Sequence, residues 1–155
     1  MALDLSYRPN VLYLASIERI VTARRLVDDE PRDYVVAAYL VGLAVETILQ
    51  AMALRHGAAA DAKHDLSKWL SKCPESLIQD LKGSYEWSYA TAVWNNGLRY
   101  LSFKALVGHL REKKVVQGRK GGVESIVRGA VKSLVSCAGV VHERGMLRWK
   151  GYTAK

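Results

Sequence analysis

Cysteine is nearly absent from this chain: Cys73 and Cys137 are the two thiols in 155 residues. Neither belongs to a Cys-x-x-Cys pair or to a Cys and His set of the zinc-binding kind, so a disulfide framework and a structural metal are both excluded. No cofactor motif appears either, and none is expected. Proline is equally scarce, and Pro9, Pro31 and Pro74 each fall where a helix could begin or end. Internal repeats, low-complexity tracts and alternating strand patterns with hairpin chemistry are missing, which leaves an all-α fold. The first residues, MALDLSYRPN, lack a basic segment followed by an apolar run, so no signal peptide is expected. With no disulfides to form, a reducing cytoplasm is the simplest setting.

Acid is what the C-terminal third lacks. Residues 1–98 hold 10 Lys and Arg against 12 Asp and Glu, a balance of −2; residues 99–155 hold 13 against 3, a balance of +10, and the sum is the net +8. Such asymmetry points to a polyanionic or phosphate-bearing partner. The densest stretch is EKKVVQGRKGG at 112–122, where Lys113, Lys114, Arg119 and Lys120 stand among three glycines with Glu112 and Glu124 as the only nearby acids. Its glycines would leave the backbone mobile and able to approach a phosphate, and it feeds the start of a helix. The spacing is not that of a P-loop. A solvated loop without a ligand is the alternative reading.

What is present is helical. Half of the residues are hydrophobic, enough for one domain, 1–155, with its own core. A first helix is expected over about 9–28, capped with help from Asn10, with Leu12, Ile17, Ile20, Val21 and Leu26 along one side. After DDEPRD, with Pro31 in its first turn, a second helix runs to a stop at Gly57. From Tyr34 to Leu54 its only charge is Glu46. That length could span a bilayer. A carboxylate at mid-span and flanks without cationic bias favour instead a central helix wrapped by others, with Gly42 admitting a neighbouring backbone. Short helices follow through LSKWLSKC (Asp65 as cap), ESLIQDLKG and SYEWSYATAVW, then one from about Phe103. The last has Val123, Ile126, Val127, Ala130, Val131, Leu134, Val135, Ala138 and Val141 at helical spacing, with Cys137 on the stripe and Arg128, Lys132 and Ser136 opposite. The expected architecture is an all-α, up-and-down bundle of about five to six helices.

Three stretches then resemble a known family. Ala38, Tyr39, Gly42, Ala44, Val45 and Glu46 match the A-Y-x-x-G-x-A-V-E helix of HEPN domains (higher eukaryotes and prokaryotes nucleotide-binding), and His64, Asp65 and Leu66 match the H-D-L start of its next helix. WNNGLRY at 94–100 is similar to the W-x-x-x-x-R-Y element of some prokaryotic relatives. The resemblance covers about 34–100. It implies a helical bundle, a homodimer, and a place beside a minimal nucleotidyltransferase in toxin–antitoxin or defence modules. The family's nuclease members carry an Arg four to six residues before a His. None of His56, His64, His109 and His142 has one, so the chain resembles a divergent, non-catalytic member.

Candidate ligand residues are therefore Trp94 and Tyr100 for stacking on a base, Arg99 for a phosphate, and Lys113, Lys114, Arg119 and Lys120 for a polyanion. Core packing explains the aromatics as well. Glu46, on a buried helix, needs a partner; Arg99, Tyr39 or Trp94 would serve, in a structural pair or as the group that orients a base toward a ligand. His64 and Asp65 are expected to be structural, at a helix start. Three functions stay open: a binder of nucleotide or nucleic-acid phosphate, an interaction module for an acidic protein, and a divergent RNase.

Overall fold

The computed structural model describes residues 8–151, and the ends of the expected 1–155 domain, 1–7 and 152–155, lie outside the described residues. The fold is all-α: seven helices and one 3₁₀ turn, with no strand among the described residues. The count exceeds the five to six expected, since each of the three short segments expected over 66–93 forms a helix of its own, two of them with side-chain caps.

Helix α1, Pro9–Asp28, starts with Pro9 in the first turn, where a missing N–H costs nothing. Arg8 holds the cap position without a side-chain bond, so Asn10 lies inside the helix and does not cap it. The buried side is Leu12, Ser16, Ile20, Ala23 and Val27; Val21 of the expected stripe is exposed. Helix α1 lies along α2, and that contact decides which face turns inward.

Helix α2, Tyr34–Arg55, is the axis of the bundle. Asp33 caps it by accepting from Val36 N at 3.0 Å, which leaves Pro31 ahead of the helix and out of its first turn. By length and composition α2 could cross a membrane, yet 67% of its most apolar window is buried in the bundle. Gly42 does not admit a backbone, as expected from sequence; it admits Trp94. A Cβ built there would stand 1.9 Å from the indole. The Trp94 N–H donates to Tyr39 O at 3.0 Å.

Helix α3 (Leu66–Ser71) packs on α2, while α4 (Glu75–Leu81) and α5 (Tyr85–Val93) pack on the last helix, Val123–Lys150. Asp65 caps α3 and Ser84 caps α5. Asn95 caps the 3₁₀ turn Asn96–Tyr100, and Ser102 caps α6, Phe103–Glu112. Helix α7, Val123–Lys150, continues past the expected stripe. Trp149 extends it, stacked on Tyr13 with centroids 4.7 Å apart and under the Arg55 guanidinium at 4.1 Å. Cys137 is buried, as its place on the stripe implies.

Candidate functional site

The cap of α2, the start of α6 and the first turns of α7 meet around one cleft of about 580 Å³. Arg32, Tyr34, Arg99, Phe103 and Glu124 line it, and Arg32, Tyr34 and Glu124 continue into a recess of about 330 Å³ closed by Ser125 and Arg128. Three guanidinium groups thus face connected space. Arg32 pairs through Nη1 with the exposed Glu30 at 2.6 Å, and the Tyr34 hydroxyl donates to Glu124 at 3.4 Å. The Nε–H groups of Arg32 and Arg128 are buried and make no hydrogen bond.

The cleft is not uniformly positive. Asp33, Glu124 and Glu30 oppose the three arginines, and the three helix N-termini add roughly half a charge each. The balance is about one and a half positive units, and the lysines of the following loop raise it. Aromatic surface adjoins it: Phe103 is 42% exposed, and Tyr100 is 75% exposed with the Arg99 guanidinium 4.5 Å over its ring.

Among the residues expected from sequence, Arg99 lines this cleft and Tyr100 flanks it. Trp94 does not stand with them. At 5% exposure, seated on Gly42, it has no open face for a base and belongs to the core. Lys113, Lys114 and Lys120 are exposed, without an ion pair among the described residues. Arg119 is folded back: its Nε donates to Val115 O at 3.0 Å and its Nη2 to Ser133 Oγ at 2.8 Å, over Gly129 of α7. The loop is accordingly pinned at its middle. Gly118 and Gly121 occupy positive φ, 75° and 112°, so they serve turns that other residues resist.

Sequence reading missed Arg32, Arg128 and Phe103 as ligand-facing groups. Arg128 does lie opposite the apolar stripe of α7, and that side turns to the cleft. Nothing local links positions 32, 99 and 128.

Glu46 also finds other partners than Arg99, Tyr39 or Trp94. Its carboxylate, with a side chain 3% exposed, lies 3.1 and 3.2 Å from Nδ1 of His64, and Gln50 Nε2 donates to it at 2.8 Å. Burial pushes the Glu46 carboxyl above its ordinary range, and the charge and hydrogen bond of His64 oppose that. His64, 51% exposed, lines a small cleft of about 200 Å³ with Ser67, Thr91, Trp94, Asn95 and Asn96. Asp65 caps α3 as expected, accepting from Lys68 N at 3.0 Å. Among the described residues no group of three His, Cys, Asp or Glu side chains could hold a metal. Compared with family models, curated proteins and solved structures, the chain matches none.

Proposed function

We propose that this protein binds the phosphates of a nucleotide or nucleic acid at the cleft of Arg32, Arg99 and Arg128, with Lys113, Lys114 and Lys120 extending the positive field. The placing of three arginine side chains, Arg32, Arg99 and Arg128, in the walls of two adjoining clefts carries this reading. Guanidinium groups match phosphate oxygens in pairs, and the start of α7 adds free backbone N–H donors. Phe103 and Tyr100 supply faces on which a base can stack.

The resemblance of 34–100 to HEPN domains supports the same reading. With it come a homodimer and a nucleotidyltransferase partner within a toxin–antitoxin or defence module. For the homodimer, α1 exposes Val11, Leu14 and Val21, and α7 exposes Leu147. Light scattering at micromolar concentration is expected to give twice the chain mass; a monomer there contradicts the dimer.

Each lysine on a phosphate releases counterion, at about 0.7–0.9 log unit of affinity per log unit of salt. The triple Lys113→Ser, Lys114→Ser, Lys120→Ser variant is therefore expected to bind an oligonucleotide more weakly and with a flatter salt dependence, the fold being intact. Arg119 is left in place because it braces the loop. Affinity and slope both unchanged would assign the basic surface to an acidic protein partner.

Bound RNA is expected to stay uncut. His142 is buried, His109 Nε2 bonds Val93 O at 2.6 Å, and His56 Nδ1 bonds Met52 O at 2.8 Å. Cleavage that disappears with His64→Ala would contradict this and favour the RNase reading.

A further inference from the structure

Helices α1 and α7 lie antiparallel, as three contacts show: Asp28 meets Lys132 at 3.3 Å, Ser16 meets His142 at 2.9 Å, and Tyr13 stacks on Trp149. Two adjoining hollows of about 450 and 300 Å³ run along their seam and share Arg24, Gly139 and Glu143. Ile17, Val21, Val140 and Met146 give the walls apolar surface. By helical spacing Leu14 and Val21 on α1 and Leu147 on α7 belong to this side, and they are 60%, 39% and 58% exposed. A Cβ on Gly139 would stand 3.0 Å from Arg24 Nη2, so the guanidinium lies across the seam. Four charges line the hollows, Arg24 and Lys132 against Asp28 and Glu143. Lys132 and Asp28 pair with each other. The side chains of Arg24 and Glu143 are exposed, and neither makes an ion pair or a hydrogen bond among the described residues.

We propose that a second copy of this chain covers this seam, in a two-fold dimer where Arg24 of each protomer pairs with Glu143 of the partner subunit. The proposal names the face and the polar contact of the homodimer, and it rests on that reading. A two-fold interface must complement itself: where one residue meets another across it, the second also meets the first. One unpaired cation and one unpaired anion along the same seam meet that condition, and the contact is made twice.

Size and charge agree with this occupant. The 20 residues of α1 extend about 30 Å at 1.5 Å per residue, and packed helices are about 10 Å apart. The two helices thus offer a face of about 30 by 20 Å, close to the roughly 800 Å² that each partner of a specific interface buries. The four charges of the seam cancel, so it does not attract a polyanion. An acidic protein is drawn instead to Lys113, Lys114 and Lys120.

The test is native mass spectrometry and light scattering of the full protein with Arg24→Glu and Glu143→Arg, made singly. Each variant sets like charges together at both contacts, so its dimer is expected to weaken by about a hundredfold and to leave monomer at micromolar concentration. An equimolar mixture of the two is expected to restore a dimer of one of each, because opposite charges then meet again at both contacts. Mixing repairs a contact between protomers and cannot repair one within a chain. Circular dichroism is expected to stay helical in both variants, since neither side chain has a partner in its own chain, and Arg24→Gln and Glu143→Gln are expected to weaken the dimer by about tenfold each with no rescue on mixing. A parent dimer that both charge reversals leave intact would place the interface elsewhere, overturning the proposal while the homodimer stands. Variants that dissociate and stay apart when mixed would overturn the pairing of Arg24 with Glu143. A monomeric parent would overturn the homodimer and the proposal together.

Discussion

Gly42→Ala is expected to remove about 3 kcal/mol of stability, a large part of the 5–15 kcal/mol typical of a domain. The added Cβ would lie 1.9 to 2.1 Å from three atoms of the Trp94 ring, so the indole must leave its seat. Overpacking of this sort costs about 1–3 kcal/mol. Losing the Trp94 N–H bond to Tyr39 O leaves the indole donor unmet, another 1–3 kcal/mol or so. Better helix propensity returns about 1 kcal/mol. Urea unfolding of four proteins checks the mechanism: the parent, Gly42→Ala, Trp94→Leu, and the double variant. Once Trp94 is replaced, Gly42→Ala should cost little, because the two effects share one contact. Additive losses would mean that the alanine acts elsewhere.

Acid is expected to weaken the fold through His142. This ring is buried between α1 and α7, and Nε2 lies 2.9 Å from Ser16 Oγ. The Ser16 hydroxyl already donates to Tyr13 O at 2.7 Å, so Nε2–H is the donor in this pair. Burial, and then the nearby charge of Arg24, lower its pKa from 6.5 to about 4. The unfolded chain therefore takes up this proton near 6.5 and the native chain only near 4. Stability is fully present above pH 6.5, falls as pH drops through the interval, and levels off below about 4. The loss between pH 7 and 4.5 should be about 2–3 kcal/mol, at 1.36 kcal/mol per pKa unit. Other groups titrate in the same range, Glu46 in the opposite sense. The check is thus the difference between the parent and His142→Gln, which keeps a donor for Ser16 and cannot titrate. Equal pH dependence in the two would contradict the assignment.

Much of the helical architecture was legible in the sequence. Pro9, Asp65, the break at Pro74, the stop ahead of Asn95-Asn96-Gly97 and the start at Phe103 mark boundaries through local rules, and the structure keeps them to within a residue. The stripe of α7 and the burial of α2 follow from periodicity and composition. What sequence left open is which residue meets which across the bundle. Trp94 enters the notch at Gly42 from 52 positions away, and Glu46 takes His64 from 18 positions away. Periodicity tells a buried face from an exposed one without naming its neighbour. For the same reason Arg128, opposite an apolar stripe, reads as solvent-facing until α2 and α6 are set beside it. Arg119 misled in the opposite direction, since its charge suggested a free phosphate ligand and its guanidinium is spent on Ser133 and Val115.

The account turns on the guanidinium groups of Arg32 and Arg128, whose side chains line one recess. Their resonances can be followed directly in an ¹⁵N–¹H spectrum while inorganic pyrophosphate is added, with Arg32→Lys and Arg128→Lys variants to assign them. Both signals are expected to shift together and to saturate, as the two guanidinium groups engage phosphate, and the Arg119 signal is expected to stay still. Arg32 and Arg128 signals that do not move, while lysine resonances alone respond, would contradict a phosphate site in this cleft.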